Sequence, residues 1–469
     1  MNQSVISSAI ERARRARDAN LAGFKELLRF PSISQDPAYQ PQLLACVDWL
    51  VAEMRRVGIE NCRAIATAGN PVLYGDWLRA GDDKPTILLY AHYDVQPVGA
   101  ASLWRTQPFE PTIVGDRLVA RGALDDKCGI WVNLKAVESV LSVFRKLPVN
   151  IKFIFEGEEE LGSRNTAAFV SHHKALLAAD ALIICDGPFS PEQPVIGTAV
   201  RGAVMGEVRF KGPPHDLHSG RYGGAVKNPL HYAARVIASF HDEGGRVQIK
   251  GFYDDAIPLS DRQVRHMNQL WKTIGPGLQR AAGVDAFFGD TLGVFAERTT
   301  SQPTLDVNGI SGGYQGEGTR AIIPSEAGFK VTIRTVAGQD GDAMWGRFVE
   351  HVMSFVEPGI EIDVELLSIA HPFTMGDDGR EVQAIQRALR AVLGKEALHM
   401  RHGGSLPIGG ILAHELDVPV AMLGYGSGDN SHAPNEFIVI EDLYAAIEVA
   451  INLLFELAGD EQPDGQVTS

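Results

Sequence analysis

Cysteine is scarce: the 469 residues hold 4, at Cys46, Cys62, Cys128 and Cys185. They are too few and too scattered for a disulfide framework or a zinc ribbon. Each reads instead as a small buried residue, in a chain suited to a reducing compartment. Basic residues are in deficit, with 43 Lys and Arg against 58 Asp and Glu, a net charge of −15. That balance excludes nucleic acid or an anionic membrane as partners held by bulk charge, leaving room only for a local basic pocket. Long apolar runs are missing too, since none approaches the ~20 residues of a membrane helix. The stretch around Arg14, Arg15 and Arg17 lacks an apolar core of signal-peptide length. The expected location is therefore the cytoplasm. What is present is ordinary for a folded protein, 45% hydrophobic and 22% charged. At ~100–200 residues per domain the length implies two or three domains.

Two styles of strand divide the chain. Continuous apolar runs at Ile87–Tyr90, Ile151–Phe155, Ala181–Ile184 and Val418–Leu423 suit strands covered by helices on both faces. Helical patterns lie between them, around Trp131–Val143 and Thr166–Leu177. In a closing helix, Glu448, Asn452 and Glu456 would form one wet stripe on a mostly buried surface. Strict alternation marks the second style. It runs through Val208 and Phe210, through Phe329, Val331 and Ile333, and through Ile360, Ile362, Val364 and Leu366. Such strands have one dry face, as in an open antiparallel sheet. The expected fold is α/β, with a central mixed, mainly parallel sheet flanked by helices and an inserted α+β domain. The expected boundaries are 1–200 for the first part of the outer domain, 201–370 for the insertion and 371–469 for the second part.

Chemistry gathers where the apolar runs end. His92-Tyr93-Asp94 follows the first, Glu156-Gly157-Glu158-Glu159-Glu160 the second, Cys185-Asp186-Gly187 the third, and Asp429-Asn430-Ser431-His432 the last. Another acidic loop, Gly122-Ala123-Leu124-Asp125-Asp126-Lys127, opens the helix at Trp131. Open α/β sheets bind ligands at the carboxyl ends of their strands. Singly, each residue is commonplace: a surface histidine, a helix cap, a solvated acidic loop. Together, Asp94, Asp125, Glu159, Glu160 and Asp186 along one edge would repel one another without a cation. Two histidines in the set point to a transition metal. Three carboxylates and two imidazoles, one carboxylate bridging, would give each of two metals three protein ligands and leave room for a shared water. One carboxylate must then stay off the metals as a general base, and adjacent Glu159 and Glu160 offer one of each.

These blocks, with Glu160-Leu161-Gly162-Ser163 and His432-Ala433-Pro434-Asn435-Glu436, resemble the co-catalytic zinc peptidase family. It includes carnosinase-like dipeptidases, glutamate carboxypeptidase, aminoacylase and succinyl-diaminopimelate desuccinylase, and the cytosolic dipeptidase branch is the nearest. The blocks occur in family order from residue 92 to residue 436. The resemblance implies a zinc-exopeptidase-like fold and two divalent metal ions, zinc or alternatively manganese. Asp125 would bridge them, His92 and Asp186 would complete one site, and Glu160 and His432 the other. Glu159 would be the general base acting on a metal-bridging hydroxide, and Asp94 would hold the His92 ring. A cis peptide at Asp125-Asp126 is implied as well.

In the insertion, Asp216-Leu217-His218-Ser219-Gly220 resembles the segment whose histidine reaches the partner subunit's site, implying a homodimer formed through this lid domain. Arg334 stands where the family grips the substrate's terminal carboxylate, and a guanidinium fork suits that shape. Ser405, in Gly403-Gly404-Ser405-Leu406-Pro407, resembles a substrate-binding loop of the outer domain. Leu124, Cys128 and His402 depart from the family pattern, and none is an expected ligand. His172 and His173 match no ligand position and read as exposed helix residues. The implied function is an exopeptidase acting on dipeptides or short peptides with a free C-terminal carboxylate. The alternative is an N-acyl or N-carbamoyl amino-acid amidohydrolase. A non-catalytic binding protein on the same fold would have lost a ligand or the base, and every expected position is filled.

Overall fold

The computed structural model describes residues 2–288, 292–376 and 378–459. The chain divides into two compact units. One comprises the residues up to Thr198, Met375–Met400 and the chain from Ile411 onward; the other is Ala199–Thr374 with Arg401–Gly410. In chain order the principal strands are β1 (Glu60–Ile65), β2 (Val72–Trp77), β3 (Thr86–His92), β4 (Asn150–Glu156), β5 (Ala181–Ile184) and β6 (Val195–Val200). They continue with β7 (Gly202–Lys211), β8 (Thr304–Gly312), β9 (Glu326–Thr335) and β10 (Glu361–Ala370), and end with β11 (Val420–Met422).

The first unit is built on a mixed sheet in the order β1-β2-β4-β3-β5-β11-β6. Strands β4, β3, β5 and β11 are mutually parallel, and the flanking strands join them antiparallel. Every residue of β4 is buried, and in β3 only the first residue is not. That is the burial expected of strands covered on both faces. Helices Gln40–Arg56, Lys127–Phe144, Arg380–Leu393 and Ile440–Ala458 share one apolar core with the sheet.

The closing helix departs from the expected wet stripe. Glu448 and Asn452 are buried, because Arg14 of helix Asn2–Arg15 lays a two-pronged fork on the Glu448 carboxylate, both contacts at 2.7 Å. A buried carboxylate is tolerated when its charge is met in this bidentate way. Of the histidines expected on an exposed helix, His172 is exposed, whereas His173 is half-buried and stacks on Phe169 at 4.5 Å.

The second unit carries an antiparallel sheet, β8-β9-β7-β10. Alternate residues of β7 and β9 pack with helices Pro229–Ala238 and Gly341–Met353 in a separate core around Phe210, Phe329 and Phe348. In β10 the expected dry face ends early: Leu366 is exposed, at the point where the pairing with β7 shifts register. The stretch Arg401–Gly410, expected in the outer domain, groups with this second unit instead. Hydrogen bonds explain why. The Arg201 backbone N–H donates to the His402 carbonyl (3.2 Å), its Nε to the Gly403 carbonyl (2.8 Å), and Arg334 Nη1 to Ser405 Oγ (3.1 Å). Among the described residues no helix is long and apolar enough to cross a membrane, and all four cysteines are buried and free.

Candidate metal centre

Sheet register gathers the site. His92, the last residue of β3, lies beside Glu156 at the end of β4; Tyr90 lies beside Ile184 of β5, and Ile184 beside Met422 of β11. Four segments therefore leave the sheet at one carboxyl edge, carrying His92, Glu159 and Glu160, Asp186, and His432. Asp125 comes from the loop before helix Lys127–Phe144, and its peptide bond to Asp126 is cis. A small antiparallel sheet brings that loop to the His432 loop, pairing Phe437–Val439 with Arg117–Val119.

The two oxygens of Asp125 face different imidazoles. Oδ1 is 2.9 Å from His92 Nε2, and Oδ2 is 2.9 Å from His432 Nε2. Asp186 Oδ2 is 3.8 Å from the same His92 nitrogen, and Glu160 Oε2 is 3.3 Å from the same His432 nitrogen. Two groups of donors result, His92/Asp125/Asp186 and Asp125/Glu160/His432, each with its donor atoms within 4.8 Å of one another. They share only Asp125.

Burial makes this cluster costly as it stands. It pushes the Glu160 carboxyl up to about 7, with Asp125 adding to the effect, and Asp186 up to about 6 for the same two reasons. Glu159 is raised well above the usual carboxylate range, mainly by burial. Burial also acts to raise Asp125, but hydrogen bonds to His432 and His92 outweigh it and hold that carboxylate far below its ordinary value. Glu160 Oε1 is buried and has no hydrogen-bond partner among the described residues. A buried oxygen without a donor, two acids with raised pKa values and two imidazoles aimed at one carboxylate fit a pair of divalent cations.

Surrounding groups fix these donors. His92 Nδ1 is 3.0 Å from the Asp94 carbonyl oxygen and 3.4 Å from its carboxylate, which leaves Nε2 facing the cluster. The Asp94 carboxylate itself accepts the backbone N–H groups of Glu159 (3.2 Å) and Glu160 (3.1 Å) and the Ser34 hydroxyl (2.7 Å). It therefore holds the loop carrying Glu159 and Glu160 as well as the histidine. Gln96 Nε2 donates to Glu160 Oε2 at 2.6 Å.

In the sequence Glu436 stands only as the last residue of the His432 motif, with no role of its own. Fully buried, it accepts Arg121 Nη1 (2.6 Å) and the backbone N–H groups of Gly122 (2.9 Å), Leu124 (2.8 Å) and Asp125 (3.1 Å). It clamps the His432 loop to the Asp125 loop. His432 itself has φ +61°, with Asn430 and Asn435 also left-handed, an unusual backbone for a bulky side chain and one that such a clamp sustains. The available signal was an acid four residues past a candidate ligand and an arginine four residues before another.

On the second unit, Arg334 and Ser405 come together, as given above. His218 is exposed, on a short pairing with Ile322, and its Nδ1 accepts the Gly220 backbone N–H at 3.0 Å.

The chain is also similar to known proteins. The family model described as peptidase family M20/M25/M40 matches residues 88–456. A human Beta-Ala-His dipeptidase is 30% identical over 378 residues, covering 78% of this chain and 74% of that protein. A Cys-Gly metallodipeptidase of Candida albicans is 28% identical over 435 residues, covering 88% and 89%. Among solved structures, an M20 family metallo-carboxypeptidase from Sulfolobus solfataricus superimposes with a TM-score of 0.83 at 30% identity, covering 94% of this chain and 99% of that one.

Proposed function

This chain belongs to peptidase family M20/M25/M40 and is a metal-dependent peptidase, and on that premise we propose that it is a dipeptidase hydrolysing peptides with a free C-terminal carboxylate. The observation that carries the reading is Asp125, whose two oxygens each meet a different histidine at 2.9 Å. His92, Asp125 and Asp186 would hold one cation and Asp125, Glu160 and His432 the other, as zinc or alternatively manganese. When bound, the pair would polarise the scissile carbonyl and lower the pKa of a water. Glu159 would accept a proton from the attacking water and pass it to the leaving amine. Burial raises its pKa and so strengthens it as a base. Asp94 keeps His92 turned and holds the Glu159 backbone in place. Arg334 and Ser405 receive the substrate's carboxylate, and His218 serves the partner subunit's site in a homodimer. The cytoplasm is the proposed location, a reading supported by the four free thiols.

The test is a substrate panel on chelated protein with zinc or manganese restored, using dipeptides, tripeptides and N-acetyl amino acids. Metal-restored cleavage of dipeptides, lost in Glu159→Gln with metal content unchanged, is the expected result. Cleavage confined to acylated or carbamoylated amino acids would overturn the dipeptidase reading in favour of an amidohydrolase.

A further inference from the structure

The second unit contains a cavity of about 840 Å³ whose charged lining is balanced: Arg201, Arg246 and Arg298 against Asp242, Glu297 and Asp306. Arg334 adds one further positive charge to this neighbourhood. Arg334 pairs across the sheet with Thr304, and Asp306 pairs with Thr332. Cross-strand partners share a face, as do residues two apart on one strand. Asp306 is thus the diagonal neighbour of Arg334 on one face, a spacing of ~7–8 Å that long side chains bridge.

Arg201 completes the group. Its Nη1 reaches the Arg298 carbonyl (3.1 Å) and Thr304 Oγ1 (3.5 Å), while its Nε holds the Gly403 carbonyl two residues before Ser405. Gly403 allows that approach, because a Cβ there would stand 2.3 Å from the Thr299 carbonyl oxygen. Arg201 is fixed in place by backbone acceptors, and those carbonyls carry no net charge to cancel its own. Asp306 is the nearby carboxylate that both arginines feel: it opposes the lowering of each pKa that burial produces.

We propose that Asp306 is a specificity-determining residue, trimming the Arg201–Arg334 pair to one net positive charge so that the site takes peptides ending in a neutral residue and disfavours a C-terminal Asp or Glu. This rests on the reading of Arg334 as the carboxylate grip. One α-carboxylate consumes the single excess charge. A second carboxylate, on the side chain, then meets no net attraction and is repelled by Asp306. Asp306 is exposed and asparagine is nearly isosteric with it, so Asp306→Asn is expected to leave the fold intact.

The experiment compares Ala-Gln with Ala-Glu, near-isosteric dipeptides that differ by one charge. It uses calorimetric binding to the metal-loaded Glu159→Gln protein, and kcat/KM in the protein with Glu159 intact, each with and without Asp306→Asn. The protein with Asp306 should favour Ala-Gln roughly tenfold, and Asp306→Asn should narrow the ratio to about twofold, as expected for one partly screened charge at this range. An unchanged ratio, or a preference for Ala-Glu with Asp306 present, would overturn the proposal. Discrimination in binding without hydrolysis of either peptide would sink the dipeptidase reading and leave this one standing. Hydrolysis of both with no effect of Asp306→Asn would do the reverse.

Discussion

Two clusters in this molecule have nearly the same composition and opposite character. Asp340, Asp342 and His371 on the second unit bring donor atoms within 4.8 Å of one another, as the groups around Asp125 do. All three are exposed, however, and the His371 nitrogens stand 3.9 Å from each carboxylate. Asp340 already spends one oxygen capping helix Gly341–Met353, accepting the Ala343 N–H at 2.8 Å. Water can solvate carboxylates exposed in this way. Around Asp125 the same residue types are buried or half-buried apart from the exposed His432, one Glu160 oxygen is left without a donor among the described residues, and burial makes Glu160 and Asp186 resist ionisation. Proximity of ligand-type residues is therefore a weak sign of a metal site. Proximity that burial has made expensive is a strong one.

The sharpest way to break this contrast is Asp125→Asn. If Asp125 bridges, its loss should empty both sites together, lowering bound metal from two ions per chain to fewer than one. Activity should fall by at least ~10³-fold, since several kcal/mol of transition-state stabilisation depend on the cations. Elemental analysis beside kcat decides it, and loss of a single ion with the other retained would show that Asp125 serves only one site.

Next comes the clamp. Glu436→Gln leaves the Arg121 guanidinium buried without its countercharge, a change that costs about 3–5 kcal/mol when a buried pair is broken. Denaturant unfolding of the metal-loaded protein should show that loss. A change below ~1 kcal/mol, the range of exposed ion pairs, would mean that the two loops are held together by other contacts.

These two variants also mark what the sequence can and cannot reveal. The candidate metal donors are legible because each follows an apolar run, His432 only after the loop 424–431, or opens a helix, and strand ends in an α/β sheet converge by topology. His92 and Asp186 need nothing more than that. Glu436 and Arg121 are separated by 315 positions, and Arg14 and Glu448 by 434. No local pattern announces such pairs, so the sequence alone gives the first no role and presents Glu448 of the second as part of a wet stripe. The same limit applies to Arg401–Gly410. Its link to Arg201 is a set of backbone hydrogen bonds, which leave no trace in residue type.

A gentler test titrates the contrast. Glu160 at about 7 and Asp186 at about 6 lie above the ~4 at which the unfolded chain would ionise. Groups raised by folding contribute stability that is full below the unfolded pKa and lost as pH rises through the folded one. The metal-free protein should therefore lose about 5 kcal/mol between roughly pH 4 and pH 7, read as a fall in Tm over that range. Bound cations favour the ionised carboxylates, so the metal-loaded protein should not show this loss. The difference between melting curves with chelator and with metal separates this cluster, its histidines and Glu159 included, from titrating groups elsewhere in the chain. Parallel curves would mean that the cluster is not strained without its ions.

The smallest effect is expected at the exposed cluster. Asp342→Asn removes one of its carboxylates, and if water rather than a cation satisfies the group, bound metal per chain should not change. Stability should fall by only about 0.5 kcal/mol, the value of an acid in the first turn of a helix. The protein should bind the same number of ions before and after, with the same midpoint when titrated against a chelator. Loss of an ion from Asp342→Asn would place a third cation on the second unit. Burial would then no longer be what separates a metal site from a chance meeting of acids and a histidine. Retention of metal, beside its loss in Asp125→Asn, would show that this fold commits a cation where its carboxylates are largely withdrawn from water and not where they are exposed.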